Sequence, residues 1–110
     1  MIKYIYDDFI DSIVISSKKK TDRVRGSVKI GDIILDLTSR GKVVGLEIKK
    51  FSAFLKSFKI QESIQGITSV DMSVTYKPDG IIIFIYVKFK KEEERLPIYI
   101  STELPQMAVA

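Results

Sequence analysis

Four carboxylates, Asp7, Asp11, Asp36 and Glu47, are the residues of this chain whose types and spacing best suit chemistry. His and Cys are absent, which excludes thiol nucleophiles, disulfides, Cys/His zinc sites and imidazole acid–base catalysis. Four carboxylates could still surround a hard divalent ion, because Asp36 and Glu47 fall on the polar faces of adjacent strands and would meet across a hairpin. The preferred reading is plainer. Asp7 and Asp11 cap a turn, while Asp36 and Glu47 accept hydrogen bonds from cations on neighbouring strands, such as Arg25, Lys42 or Lys49. On that reading the acids are structural, and no metal or other cofactor is expected.

The second candidate is basic. Lys18, Lys19, Lys20, Arg23, Arg25 and Lys29 make a patch that could neutralise phosphates. Single-strand binders interleave such charges with exposed aromatics, and the aromatics nearby are Tyr4, Tyr6 and Phe9. The net charge of +4 is mild but unevenly placed, since residues 1–50 carry eleven Lys or Arg against seven Asp or Glu and the remainder carry seven of each. A solvated lysine-rich loop is therefore preferred, with nucleic-acid binding as the alternative.

Other signatures fail on their chemistry. Gly26-Ser27-Val28-Lys29-Ile30-Gly31 leads into Asp32-Ile33, not into Lys-Ser/Thr at a helix start, so it does not cradle phosphate. Ser52 and Lys56 are four residues apart on a helix, which is helical facing and not a Ser-x-x-Lys pair.

The elements that must position these groups follow from period. Lys3–Tyr6 and Ser12–Ser16 are apolar and β-branched around the turn-forming Asp7–Asp11 segment. Arg23–Ile30 alternates, with Val24, Gly26, Val28 and Ile30 opposite a polar face of Arg23, Arg25, Ser27 and Lys29. Ile33–Leu37 and Val43–Ile48 read as a hairpin around Thr38–Lys42, with Gly41 placed for positive φ and with Val44, Leu46 and Ile48 opposite Val43, Gly45 and Glu47. Phe51, Phe54, Leu55 and Phe58 recur at helical spacing, and Ser52 is the expected cap. Strands resume at Ile67–Tyr76, and Pro78-Asp79-Gly80 is a turn in which Gly80 is expected to be left-handed. Ile81–Lys90 is apolar on both faces through Val87, with Ile82, Phe84 and Tyr86 on one side, so it is central and covered twice. Arg95–Ile100 pairs back as an edge strand marked by Pro97.

Two of these segments carry a resemblance. Tyr6-Asp7-Asp8-Phe9-Ile10-Asp11-Ser12-Ile13-Val14-Ile15, followed by Asp36-Leu37-Thr38-Ser39-Arg40-Gly41-Lys42-Val43-Val44-Gly45-Leu46-Glu47-Ile48, resembles a family of small bacterial and archaeal domains of unknown function patterned Y-D-x-x-x-D-x-[LI]-x-I and D-x-x-x-x-G-x-V-V-G-[IL]-E-[IL]. Family members commonly carry acids in the hairpin loop where this chain has Thr38, Ser39 and Arg40, which weakens a metal loop there. The resemblance covers residues 6–52 and implies a compact β-rich fold; some members look like companions of small toxin-like proteins, so an antitoxin-like partner role is what it suggests.

The expectation is an α+β fold: an antiparallel β-meander (1–52), one short helix with a C-terminal β-hairpin and edge strand (53–101), and a tail (102–110), all in one domain. The longest apolar run, Gly80 to Val87, is too short to span a membrane, so a cytoplasmic location is expected. The expected role is a protein-interaction module, with nucleic acid as the alternative partner and an enzyme least favoured. A small core and a strand with two apolar faces predict a homo-oligomer, specifically a dimer.

Overall fold

Apolar residues alternating with polar ones over short stretches, broken by connections rich in Asp, Lys and Gly, favour short antiparallel strands. A computed structural model describes residues 3–101. The tail read over 102–110 lies outside these residues. In order the elements are β1 (Lys3–Asp7), β2 (Ser12–Ser16), β3 (Gly26–Ile30), β4 (Ile33–Leu37), β5 (Val43–Lys49), α1 (Phe51–Ser57), a single 3-10 turn at Ile64–Gly66, β6 (Ile67–Lys77), β7 (Gly80–Phe89) and β8 (Glu93–Ser101). The fold is α+β, with every strand pair antiparallel. None of its helices is long and apolar enough to cross a membrane among the described residues.

The first sheet has the order β1-β2-β5-β4-β3 and the second β6-β7-β8. β3, β4 and β5 are joined by two hairpins. Gly31 has φ +59° at the first central position of one, and Gly41 has φ +80° in the other, a conformation that costs glycine little. β2 then docks on the free edge of β5, so β5 lies inside the sheet and is buried along most of its length.

Two details depart from the sequence pattern. The strand expected over Arg23–Ile30 begins at Gly26, because its one neighbour, β4, ends at Leu37 and the Arg25 N–H donates the last rung to the Leu37 carbonyl at 2.7 Å. A bulge also shifts the β4–β5 register, so that Asp36 faces Gly45 while Leu37 faces Val43. Val43 therefore turns into the core instead of sharing the outer face with Gly45 and Glu47.

The inner faces of the two sheets meet. Ile13, Ile15, Leu35, Leu46 and Ile48 from the first pack in one cluster with Val70, Met72, Ile83, Ile85, Val87, Leu96, Ile98 and Ile100 from the second. Between the sheets, α1 closes one end with Phe51 and Leu55, both buried. The ring of Phe51 lies 5.9 Å from that of Tyr6 and 6.1 Å from that of Phe54. The helix stops in a left-handed reversal at Lys59, φ +61°, where the Lys59 N–H donates to the Lys56 carbonyl and the Ile60 N–H to the Leu55 carbonyl. Ile60 and Leu55 share the core, which anchors that reversal although a lysine fills the position glycine favours.

Lys77 faces Gly80 across the two-residue turn Pro78-Asp79, but Gly80 is not left-handed; among the described residues, Gly31 and Gly41 are the glycines with positive φ. Glycine is needed there for space. A Cβ on Gly80 would sit 2.5 Å from the Ile100 carbonyl oxygen of β8, which backbone pairing holds in place. Gly80→Ala is expected to lower stability by about 2–3 kcal/mol in urea denaturation. Gly26→Ala, with nothing within 4 Å of the new Cβ, is the matched comparison and is expected to stay within about 0.5 kcal/mol of wild type.

Candidate functional site

The β1–β2 turn places Asp11 in a left-handed conformation, φ +52°, that Asp tolerates better than most residues. Its side chain thereby faces the start of α1. The carboxylate accepts the Tyr6 hydroxyl at 2.6 Å, the Ser52 amide at 3.1 and 3.2 Å and the Ser52 hydroxyl at 2.9 Å, while the Asp11 carbonyl accepts the Phe51 amide at 3.0 Å. Asp11 therefore does the work expected of Ser52. Lys50, the residue preceding the helix, makes no side-chain cap, and Ser52 itself donates. Partial burial alone would raise the Asp11 carboxyl, but the hydrogen bonds from Tyr6 and Ser52, helped by the charge of Lys56, outweigh it and hold the carboxyl below its ordinary value. Burial and the same carboxylate push the Tyr6 phenol up.

The other acids have separate partners. Asp7 accepts the Phe9 amide at 2.9 Å within the turn. Asp36 accepts the Ser27 hydroxyl at 2.6 Å and lies over Gly45, where a Cβ would come 2.8 Å from its Oδ2. Glu47 accepts the hydroxyl of buried Ser12 at 2.7 Å. Serines on adjacent strands, and not Arg25, Lys42 or Lys49, are thus the donors to Asp36 and Glu47. Among the described residues no three acids gather as a metal would require. The two sequence patterns nonetheless meet in space, because β2 pairs with β5 and the Ser12 hydroxyl donates to Glu47 across that pairing.

The cations are arranged differently. Lys18, Lys19, Lys20, Arg23 and Arg25 are exposed in the connection from β2 to β3, at the end of the first sheet opposite α1. Lys29 stands apart, three residues further along β3 and facing Ile34. The β4–β5 loop reaches the same end and adds Arg40 and Lys42, which the linear patch did not include. Lys42 Nζ lies 3.5 Å from Asp22 Oδ2, joining the two loops. Asp22 also accepts the Lys19 amide at 2.9 Å, and that bond, with the nearby lysine charges, lowers its carboxyl pKa. Between the loops is a hollow of about 440 Å³ lined by Thr21, Asp22, Arg23, Thr38, Ser39, Arg40 and Lys42. The aromatics considered for base stacking are elsewhere. Tyr4 and Tyr6 pack against the core, and Phe9, 85% exposed, is in the turn at the opposite end.

A third surface is apolar. On the outer side of the second sheet Ile82, Phe84 and Tyr86 are half-buried, beside Pro97 and a Tyr99 that is 74% exposed. The Arg95 guanidinium sits 4.9 Å from the centre of the Phe84 ring, and the Tyr86 and Ser73 hydroxyls are 3.1 Å apart. Searches of protein-family models, curated proteins and solved structures find no match to this chain.

The Asp11 geometry sets an acid dependence. A carboxyl lowered in the folded state stabilises it fully above the unfolded pKa, and that stability is lost as pH falls through the folded value. Asp11→Ala is expected to cost about 1–2 kcal/mol near pH 7, with the gap to wild type closing as the pH falls below about 4. Asp11→Asn, which keeps an acceptor oxygen and tolerates the left-handed backbone, should cost less. Thermal denaturation across pH 2–7 checks all three.

Proposed function

We propose that this protein is an interaction module that works as a homodimer, its copies joined through the outer face of the β6-β7-β8 sheet. The observation that carries this is the make-up of β7. Ile83, Ile85 and Val87 are fully covered by the first sheet, whereas Ile82, Phe84 and Tyr86 on the reverse side are covered only by cross-strand neighbours. Apolar side chains on both faces of a strand are stabilising only when both are covered.

A second copy suits this face by charge as well as by shape. Asp71, Tyr86 and Arg95 form one cross-strand row, with Asp71 on β6 and Arg95 on β8. If two such sheets stack face to face about a two-fold axis parallel to β7, β6 of each lies over β8 of the other. Asp71 of each copy then faces Arg95 of its partner, and Phe84 meets Phe84 at the centre. Such pairing is isologous, and roughly aligned sheets are a common packing.

Sedimentation at tens of micromolar is expected to give twice the 12.5 kDa chain mass. Phe84→Asp, on the outer face, should retain its circular dichroism and sediment as a monomer. Asp71→Arg or Arg95→Asp alone should weaken the dimer by about tenfold or more, and the two together should restore it. A strictly monomeric wild type, or a dimer indifferent to Phe84→Asp, would overturn this reading.

A further inference from the structure

We infer that the loop end of the first sheet binds the phosphate backbone of double-stranded nucleic acid. This site is separate from the proposed dimer face and does not depend on it.

Tertiary structure creates the surface by bringing together two connections that are distant in the chain. Lys18, Lys19, Lys20 and Arg23 arrive after β2, Arg40 and Lys42 after β4, and the Lys42–Asp22 contact closes the seam at 3.5 Å. Asp22 is the single acid in either loop, and it already accepts from Lys19 and Lys42. Lys42–Asp22 is also the one ion pair among the described residues, and Lys19 is near enough to Asp22 for its charge to be felt there, so Lys18, Lys20, Arg23 and Arg40 are exposed cations with no carboxylate paired to them. The excess charge of the first half is thus gathered at one end.

The shape points to more than one phosphate. The hollow of about 440 Å³ presents Arg23 and Arg40 beside the hydroxyl-bearing Thr21, Thr38 and Ser39. A second hollow, of about 480 Å³, is lined by Lys3, Ser16 and Lys18–Lys20. Guanidinium groups and hydroxyls are the side chains that hold phosphate oxygens, and two cationic hollows lined by consecutive stretches of one loop, Lys18–Lys20 and Thr21–Arg23, suit successive phosphates of a polymer better than one isolated anion. Neither loop contains an aromatic residue, and Tyr76, whose hydroxyl accepts the Val43 amide at 2.8 Å at the foot of the β4–β5 loop, is a single ring and not a row on which successive bases stack. A duplex, which offers its backbone while its bases stay stacked, is therefore the occupant, and its sequence is read weakly or not at all.

Fluorescence anisotropy with a labelled mixed-sequence DNA duplex of about 20 base pairs, between about 50 and 200 mM salt, tests this directly. Binding should weaken steeply as salt rises. The double substitution Arg23→Ala with Arg40→Ala should lower affinity by about tenfold and reduce the slope of log K against log salt by about two phosphate contacts. Lys49→Ala with Lys90→Ala removes the same charge from exposed positions outside the loops and should leave affinity unchanged. The inference fails if the duplex does not bind at the lowest salt, or if both double variants weaken it equally. It also fails if a single strand of the same length binds more tightly, or if phosphatidylserine vesicles are bound and the duplex is not.

Discussion

A single strand with apolar side chains on both faces constrains the rest of this molecule. β7 needs cover on its inner side for Ile83, Ile85 and Val87, and its outer side carries the half-buried Ile82, Phe84 and Tyr86. β6 and β8 complete a sheet around it, but a three-stranded sheet alone has no cover for either face. The five-stranded sheet supplies the first cover. Burial on that inner side explains why one cluster unites residues from Ile13 to Ile100, while Ile82, Phe84 and Tyr86 on the outer side of the same strand stay half-buried.

Packing two sheets together requires the chain to leave one and enter the other at a fixed angle, and α1 makes that passage. Seven residues are too few for a helix to be stable on propensity alone. Its ends are held from outside. The Asp11 carboxylate and carbonyl take up the first amides, and the Leu55–Ile60 reversal closes the last turn. Three non-glycine residues with positive φ, Asp11, Lys50 and Lys59, cluster around this helix, each a local cost offset by the hydrogen bonds and burial of the aromatic cap. The acids that first suggested chemistry are instead parts of this framework: Asp11 ties turn to helix, Glu47 satisfies buried Ser12, and Asp36 lies across Gly45.

The same framework gives the first sheet a polarity. One end is bound to α1 through Asp11, and the other carries the two cationic loops. Those loops lie far apart in the chain and are joined by the Lys42–Asp22 contact at 3.5 Å.

Much of the fold was legible in the sequence because period and turn chemistry are local. Alternation located the strands to within a few residues, the i, i+3, i+4, i+7 stripe located α1, and Gly41 marked its loop. The central position of β7 and the edge position of Pro97 were legible for the same reason. Long-range pairing decided the rest. Nothing local says that β2 docks on β5, that the bulge turns Val43 inward, or that Gly80 is required by a carbonyl on β8 and not by its own φ. The cap assigned to Ser52 belongs to Asp11, forty-one positions away, and the basic patch read as a run from Lys18 to Lys29 is instead an end of the sheet that loses Lys29 and gains Arg40 and Lys42. Side chains that act across strands have no signature in the spacing of one segment, because their partners are fixed only when the sheets close.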